Sequence, residues 1–154
     1  MEGTDLSGKF AGNMDVYFLL KKLDNHIQKY LPVLYKRMDI QEYSLMNLWV
    51  CDFLYDNRDR AIYQKDVEAE FSINRATASK MLLLMEEKQL VCRRTSEEDG
   101  RLKKLELLPR GIWLHGLCCQ LRAEMEEKLT AGLSREETEL FKELCRRMLS
   151  SMES

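Results

Sequence analysis

The chain has 154 residues, of which 45% are apolar and 32% charged, enough for one compact domain or a small domain with a helical extension. The longest uninterrupted apolar runs, such as Met81–Met85, have five residues and are too short to span a bilayer. The net charge of −2 hides an uneven distribution, because residues 71–104 carry eight basic and five acidic side chains, a local excess that suits a polyanionic partner.

The N-terminal part of the chain is predicted to contain a flexible arm and two helices. Residues 1–13 include three glycines and form the arm. Over residues 14–38, apolar side chains recur at steps of three and four, which predicts a long amphipathic helix. Pro32 is expected to kink this helix or to split it near Tyr30. A second helix is predicted over residues 45–56.

Shorter elements follow, and together they predict a helix-turn-helix. Residues 61–63 form a candidate edge strand, and residues 64–71 a helix of two turns. Asn74 is a suitable N-cap for a third short helix over residues 75–88, which has one apolar face. Two short helices joined by a turn of three or four residues are typical of this motif.

A β-hairpin and two helices complete the chain. Residues 90–95 and 102–108 alternate in polarity as strands do, and the polar turn between them contains a glycine. A hairpin that directly follows a helix-turn-helix indicates the winged variety. Residues 109–131 are predicted to form a long helix that begins with a proline. Ser134 and Glu137 form a capping box for the last helix.

This order of elements resembles the MarR family of bacterial transcription regulators over residues 14–148. The turn Asp99-Gly100-Arg101 is similar to the Asp-x-Arg turn in the wing of that family. The segment Leu105-Glu106-Leu107-Leu108-Pro109-Arg110-Gly111 is similar to the strand ending in Leu-Thr-Pro-x-Gly that follows the turn. Residues 64–67 and 74–77 also lie where the helix-turn-helix of the family is expected.

The chain departs from the family pattern at several positions. Leu108 replaces a threonine that would cap the next helix, at a cost of about 1 kcal/mol. Gln89 stands where a glycine usually ends the recognition helix, so the helix is expected to end without the residue that most easily adopts a left-handed backbone. Glu68 replaces an alanine near the crossing of the two short helices and is expected to reach solvent or a partner. Leu83 and Leu84 replace charged residues.

The resemblance implies a mainly α fold with a small β-hairpin wing, a winged helix-turn-helix with a helical dimerisation region from both chain ends. Residues 14–56 and 111–154 are the predicted dimerisation helices, and residues 57–110 are the predicted DNA-binding part. Two copies are expected to interlock as a homodimer and to present two wings to a pseudo-palindromic site on double-stranded DNA. A monomer with internally packed helices is the alternative.

The predicted DNA contacts lie on the third short helix and on the wing. The resemblance implies that Arg101 enters the minor groove or contacts its phosphates, and that Asp99 orients it. Base edges are expected to be read by Arg75, Ala76, Ser79 and Lys80 on the exposed side of the helix. Phosphate contacts are expected from Arg93, Arg94, Lys103 and Lys104. A solvated helix face and an exposed ion pair are the alternatives.

The predicted function is a DNA-binding transcriptional repressor that a small-molecule effector releases from its operator. The resemblance implies a small aromatic effector bound between the helical and winged parts, in a cleft lined by His26, Tyr30, Trp49 and Trp113. Each of these side chains is otherwise explained as part of the core. The alternative function is a winged-helix protein–protein interaction module without specific DNA binding.

No enzyme, metal site or cofactor is predicted. The five cysteines form no CxxC pair and indicate neither a disulfide scaffold nor a zinc site, so they are interpreted as small apolar side chains. Oxidation of Cys118 and Cys119 stays an alternative. The two histidines lie far apart in the sequence, without a cluster of acids, and no set of nucleophile, base and acid is recognisable. A polar N-terminus without a leader predicts a cytoplasmic protein with no membrane partner.

Overall fold

The computed structural model describes residues 15–154, so the predicted N-terminal arm lies outside the described part of the chain. The described part contains six helices and three short strands. In chain order they are α1 (Val16–Met38), α2 (Leu45–Asp56), β1 (Ile62–Tyr63), α3 (Gln64–Phe71), α4 (Arg75–Glu87), β2 (Val91–Thr95), β3 (Lys103–Leu107), α5 (Pro109–Thr130) and α6 (Arg135–Glu153). They form two compact units, one that ends at Ser44 and one over Leu45–Ser154. These units do not coincide with the predicted parts, whose boundaries stay predictions.

The first unit contains α1, which runs without a break through Pro32. The expected split of the helix near Tyr30 therefore does not occur. A proline nevertheless removes one hydrogen bond from a helix. Leu31 and Leu34, close to Pro32 in the same helix, are buried, and their burial offsets that loss. The helix ends at Asp39, whose left-handed backbone has a φ of 57° and whose amide donates to the carbonyl oxygen of Lys36 (3.3 Å).

Helices α2 and α5 contact each other and supply much of the core of the second unit. In both helices the buried residues recur at steps of three and four, which places them on one face. The buried residues are Asn47, Leu48, Val50, Cys51 and Leu54 on α2, and Gly111, Leu114, Cys118 and Leu121 on α5. This contact positions α5, whose first residues directly follow the wing.

The predicted helix-turn-helix forms with the expected bounds. The Oδ1 atom of Asn74 accepts a hydrogen bond from the amide of Thr77 (2.8 Å), which confirms the predicted N-cap of α4. At the start of α3, the amide of Tyr63 donates to Oδ2 of Asp66 (2.8 Å). The turn itself begins at Ser72, which adopts a left-handed backbone with a φ of 52°. Caps at these ends fix where α3 stops and α4 starts.

The three strands form one antiparallel sheet in the order β1-β3-β2. Residue Ile62 of β1 pairs with Leu105 of β3, so the predicted edge strand is confirmed. Strands β2 and β3 form the hairpin, in which Arg93 lies opposite Leu105 and Thr95 lies opposite Lys103. Because neighbouring residues of a strand point to opposite faces, this register decides which wing side chains share a surface.

Two departures from the family pattern have a structural explanation. Gln89 adopts the left-handed backbone itself, with a φ of 62°, so α4 ends in the way a glycine would allow. The amide of Leu90 then donates to the carbonyl oxygen of Met85 (3.0 Å), which satisfies part of the helix end. Leu108 stands at the N-cap of α5 without a side-chain hydrogen bond, as its replacement of a threonine predicts.

Helix α6 begins at the predicted capping box and buries none of its residues. The amide of Ser134 donates to Oε1 of Glu137 (2.9 Å), and the amide of Glu137 donates to Oγ of Ser134 (3.1 Å). Its large apolar side chains stay exposed, among them Leu140, Phe141 and Leu149. None of the helices within residues 15–154 combines the length and the apolar character that crossing a membrane requires.

Candidate nucleic-acid interface

The outer face of α4 is the first part of the candidate interface. On the inner face, Ala78, Leu82 and Met85 are buried and attach the helix to the rest of the unit. The four predicted base-reading residues, Arg75, Ala76, Ser79 and Lys80, are all exposed. The structure thus brings them together on the N-terminal half of one helix, where a major groove can be reached.

The tip of the wing is held by hydrogen bonds to one serine. Ser96 is buried, and its Oγ accepts from the amides of Glu98 (3.3 Å) and Asp99 (3.4 Å). The hydroxyl of Tyr63 lies 3.2 Å from the same Oγ and connects the turn to the sheet. These contacts give the polar turn a defined conformation, so the position of the residue at its tip is also defined.

Arg101 projects from this turn and is almost fully accessible. Its side chain is 92% exposed, and its Nε donates to Oδ1 of Asp99 (3.3 Å). The same oxygen accepts from the amide of Arg101 (3.0 Å), so Asp99 holds both the backbone and the side chain. An exposed ion pair of this kind contributes little to stability, but it limits the directions in which the guanidinium points.

A groove of about 470 Å³ lies between α3, α4 and the wing. Its charged lining consists of one acid, Glu68, and five cations, an excess of positive charge that ion pairs of Arg93 with Glu86 and of Arg101 with Asp99 reduce. The cations are Lys65, Arg75, Arg93, Arg101 and Lys103. The structure therefore joins residues that are distant in the sequence into one cationic surface, in which Glu68 is half-buried.

The register of the hairpin separates the predicted phosphate contacts into two groups. Lys103 lines the groove, and its Nζ donates to Oγ1 of Thr95 (3.0 Å). Arg94 pairs across the strands with Lys104, on the opposite face of the wing. Both lie near the carboxylate of Glu106, at 2.9 Å for Nε of Arg94 and 3.6 Å for Nζ of Lys104. These two cations are therefore directed away from the groove and are already paired with an acid.

Arg93 lines the groove but is engaged by α4. Its Nε lies 2.6 Å from Oε1 of Glu86, and its Nη2 donates to the carbonyl oxygen of Ser79 (3.5 Å). Only about a quarter of its side chain is exposed. The geometry thus favours a role in which Arg93 fixes α4 to the wing over a direct phosphate contact.

Lys65 belongs to the groove and was not among the predicted contacts. It is exposed in the first turn of α3, with its Nζ 5.9 Å from the centre of the Tyr63 ring. Lys65 could have been predicted from the sequence, because residues 64–67 were matched to the helix-turn-helix of the family. A cation at this end of α3 adds to the positive potential that α4 and the wing create.

The predicted effector residues are divided between the two compact units. His26 and Tyr30 belong to α1, in the first unit, and Trp49 and Trp113 belong to the second. The ring of Trp49 stacks on that of Phe71, with 6.5 Å between their centres and 6° between their planes. Trp49 nevertheless stays 40% exposed, and half of Trp113 is exposed. Effector binding by these four residues stays a prediction.

One cluster of potential metal ligands occurs within residues 15–154, outside the groove. It consists of Asp52, His115 and Cys119, which α2 and α5 bring together. The sequence showed no cluster of acids joining the two histidines, because Asp52 and His115 meet only through the packing of two helices. Arg122 forms an ion pair with the same aspartate, so a cation already neutralises this carboxylate.

Comparison with known proteins yields structural neighbours, whereas no family model and no curated protein sequence matches the chain. The transcription regulator MarR of Oenococcus oeni PSU-1 is 29% identical, with a TM-score of 0.70 over 88% of this chain and 99% of that chain. MepR of S. aureus, solved with DNA, is 23% identical, with a TM-score of 0.78 over 91% and 98% of the two chains. PcaV of Streptomyces coelicolor, solved with its natural ligand, is 21% identical, with a TM-score of 0.76 over 99% of each.

These neighbours confirm the predicted fold. They are transcription regulators with a winged helix-turn-helix, and their likeness extends over nearly all of the described residues. Their family is not enzymatic, in agreement with the expectation from the sequence. MepR and PcaV lie below 25% identity and support the fold alone. The Oenococcus oeni regulator lies above that value, at 29%.

Proposed function

The comparisons support assigning this chain to the MarR-family winged-helix regulators, and on this premise we propose that it is a cytoplasmic transcriptional repressor. It binds a pseudo-palindromic operator as a homodimer, and a small aromatic effector releases it. The observation that carries the proposal is the cationic groove between α3, α4 and the wing, with Arg101 at its rim. A surface with five cations and one acid is suited to neutralise the phosphates of a nucleic-acid backbone.

In the proposed complex, α4 enters the major groove and the wing reaches the adjacent minor groove. Arg75 and Lys80 are placed to donate to guanine, and Ala76 to contact a thymine methyl group. Lys103 and Lys65 neutralise phosphates on the surface between the two grooves. The MepR structure with DNA supports DNA binding, and the PcaV structure with its natural ligand supports a small-molecule effector.

The proposed phosphate contacts are tested by a pair of lysines on opposite faces of one strand. Lys103→Ala is expected to weaken binding to any duplex and to make the logarithmic salt dependence shallower by about 0.9 for each phosphate that is no longer neutralised, hence about 1.8 for a dimer. Lys104→Ala removes the same charge from the other face, beside Glu106, and is expected to change neither quantity. Fluorescence anisotropy with a random-sequence duplex, between about 50 and 200 mM salt, measures both. Equal effects of the two substitutions would contradict the division of the wing into two faces.

The proposed homodimer rests on apolar faces that the single chain leaves uncovered. In α6, Leu140, Phe141 and Leu144 are each at least 39% exposed, and α1 exposes Val16 and Leu20 to a similar extent. Exposed apolar patches of this kind mark protein–protein contacts. The resemblance implies that these helices interlock around a two-fold axis, which places every contact in the interface twice.

Leu144→Glu is expected to raise the dissociation constant of the dimer by about tenfold or more, the equivalent of about 1.4 kcal/mol, because two carboxylates would enter an apolar contact. Leu83→Glu, on the exposed face of α4, is the matched control and is expected to leave the dimer intact. Sedimentation at micromolar concentration measures the effect. A wild-type species with the 18.2 kDa mass of one chain would contradict the dimer.

A further inference from the structure

Asp52, His115 and Cys119 form a cluster in the second unit that the proposed DNA-binding function does not use. The Nδ1 atom of His115 lies 2.9 Å from Oδ1 of Asp52, and its Nε2 lies 3.9 Å from Sγ of Cys119. The histidine and the cysteine are four residues apart on α5 and therefore share one face of the helix. A carboxylate, an imidazole and a thiol thus lie next to one another in space, in that order.

The imidazole of His115 is fixed in position on two sides. Its ring stacks on that of Tyr55, with 3.9 Å between their centres and 17° between their planes. The carboxylate of Asp52 lies beside Nδ1, and the opposite ring nitrogen, Nε2, faces the thiol of Cys119. Asp52 also pairs with Arg122, and both the aspartate and the histidine are mostly buried, at 13% and 15% exposure.

Cys119 differs from the buried thiols beside it. It is exposed and lines a cavity of about 460 Å³ between α5 and α6, together with Arg122, Glu126 and Lys142. Burial is the first cause that raises the pKa of Cys51 and of Cys118 to about 12, so these two thiols stay protonated and inert. Only one thiol of this region therefore combines access with a neighbouring base.

We propose that Cys119 is a nucleophilic modification site that reacts with conjugated carbonyl compounds. His115 Nε2 takes the proton of the thiol while Sγ forms a bond to the β-carbon of the electrophile. The carbon–carbon π bond of the electrophile breaks and its electron pair moves to the carbonyl oxygen, which becomes an enolate. His115 then returns the proton to the α-carbon, so the adduct forms without any other reactant. Asp52 is the positioning residue.

A metal ion is the competing occupant of this cluster. A soft divalent cation would use the same three side chains as ligands. The guanidinium of Arg122 opposes it, because a second cation at the Asp52 carboxylate repels the metal and withdraws one ligand. The charges around the cluster thus oppose a metal site.

The experiment uses the full chain and a substoichiometric amount of N-ethylmaleimide at neutral pH, followed by peptide mass mapping. Cys119 is expected to be alkylated about tenfold faster or more than Cys92 and Cys145, the half-buried reference thiols of the same molecule. His115→Gln, which keeps a hydrogen-bond acceptor but no base, is expected to lower the rate at Cys119 by about tenfold to a hundredfold. The rate at Cys145 should stay the same, which shows that the variant is folded.

Three further measurements decide the proposal. Asp52→Asn is expected to slow Cys119 less than His115→Gln does, since it only loosens the imidazole, and Cys119→Ser should abolish the fast phase. A Cys119 rate equal to that of Cys145 in the wild-type protein would overturn the proposal, and this ratio needs no variant. Protection of Cys119 by zinc, with a raised melting temperature, would also overturn it in favour of a metal site.

Discussion

Replacing Arg101 by alanine is expected to remove most of the operator affinity and to leave the dimer and the melting temperature nearly unchanged. The side chain is 92% exposed and its side-chain partner is the local carboxylate of Asp99, so its loss costs the fold little. An arginine inserted into a groove is worth about 1–3 kcal/mol. Because a dimer carries two wings, the dissociation constant should rise by about thirtyfold or more.

The measurement is a titration, at one fixed salt concentration, of a duplex that the wild-type protein has selected from a random pool. Asp99→Ala should act in the same direction but more weakly, because it only frees the guanidinium. Arg60→Ala is the matched control, since Arg60 is also exposed and donates to a local side chain, Asn57, at 3.1 Å. If Arg101→Ala bound as tightly as the wild type, the wing would not contact DNA, and a protein-interaction module would be the better interpretation.

Gly111→Ala is expected to destabilise the second unit by about 1–3 kcal/mol or more, because the first turn of α5 has no room for a Cβ atom. That atom would lie 2.3 Å from the carbonyl oxygen of Leu90 and 2.7 Å from Cδ2 of Leu107. The carbonyl cannot move freely, since it also accepts a hydrogen bond from the amide of Leu108 (2.9 Å). The substitution therefore pushes α5 away from the wing.

Gly116→Ala, in the same helix, is the matched control for Gly111→Ala. Apart from the backbone of its own helix and its chain neighbours, no atom of residues 15–154 lies within 4 Å of the position its Cβ would take, so alanine should stabilise the helix by about 0.5–1 kcal/mol. Thermal denaturation measures both variants, with about 2–4 °C expected for each kcal/mol. Similar melting temperatures for the two variants would contradict the close contact at Gly111.

The resemblance at residues 105–111 gains a physical basis from this contact. A glycine at the end of the motif lets the backbone of α5 approach the start of β2, and Pro109 begins the helix. The glycine of the motif is therefore needed for close packing, a reason that the sequence alone does not show. The left-handed Gln89 shows the converse, because there the expected glycine is absent and the backbone conformation is retained.

The site was predictable where its residues lie within one element. The exposed face of α4 and the Asp99–Arg101 turn follow from contacts between residues at most four positions apart, which the sequence displays directly. The phosphate contacts were less predictable, because Arg93 pairs with Glu86 of α4 and Arg94 with Glu106 of β3. No periodicity in the sequence shows which acid a wing cation will meet.

The sequence by itself determined the helices, their caps and the wing, since helix periodicity, an N-cap such as Asn74 and a polar turn are local properties. Only the tertiary structure decided which face of the wing each cation occupies and which side chains of α2 and α5 meet. Strand register and helix packing are set by the burial of apolar residues far apart in the chain. That burial also determines which partners the polar residues of the same elements contact, as for Lys103 and His115.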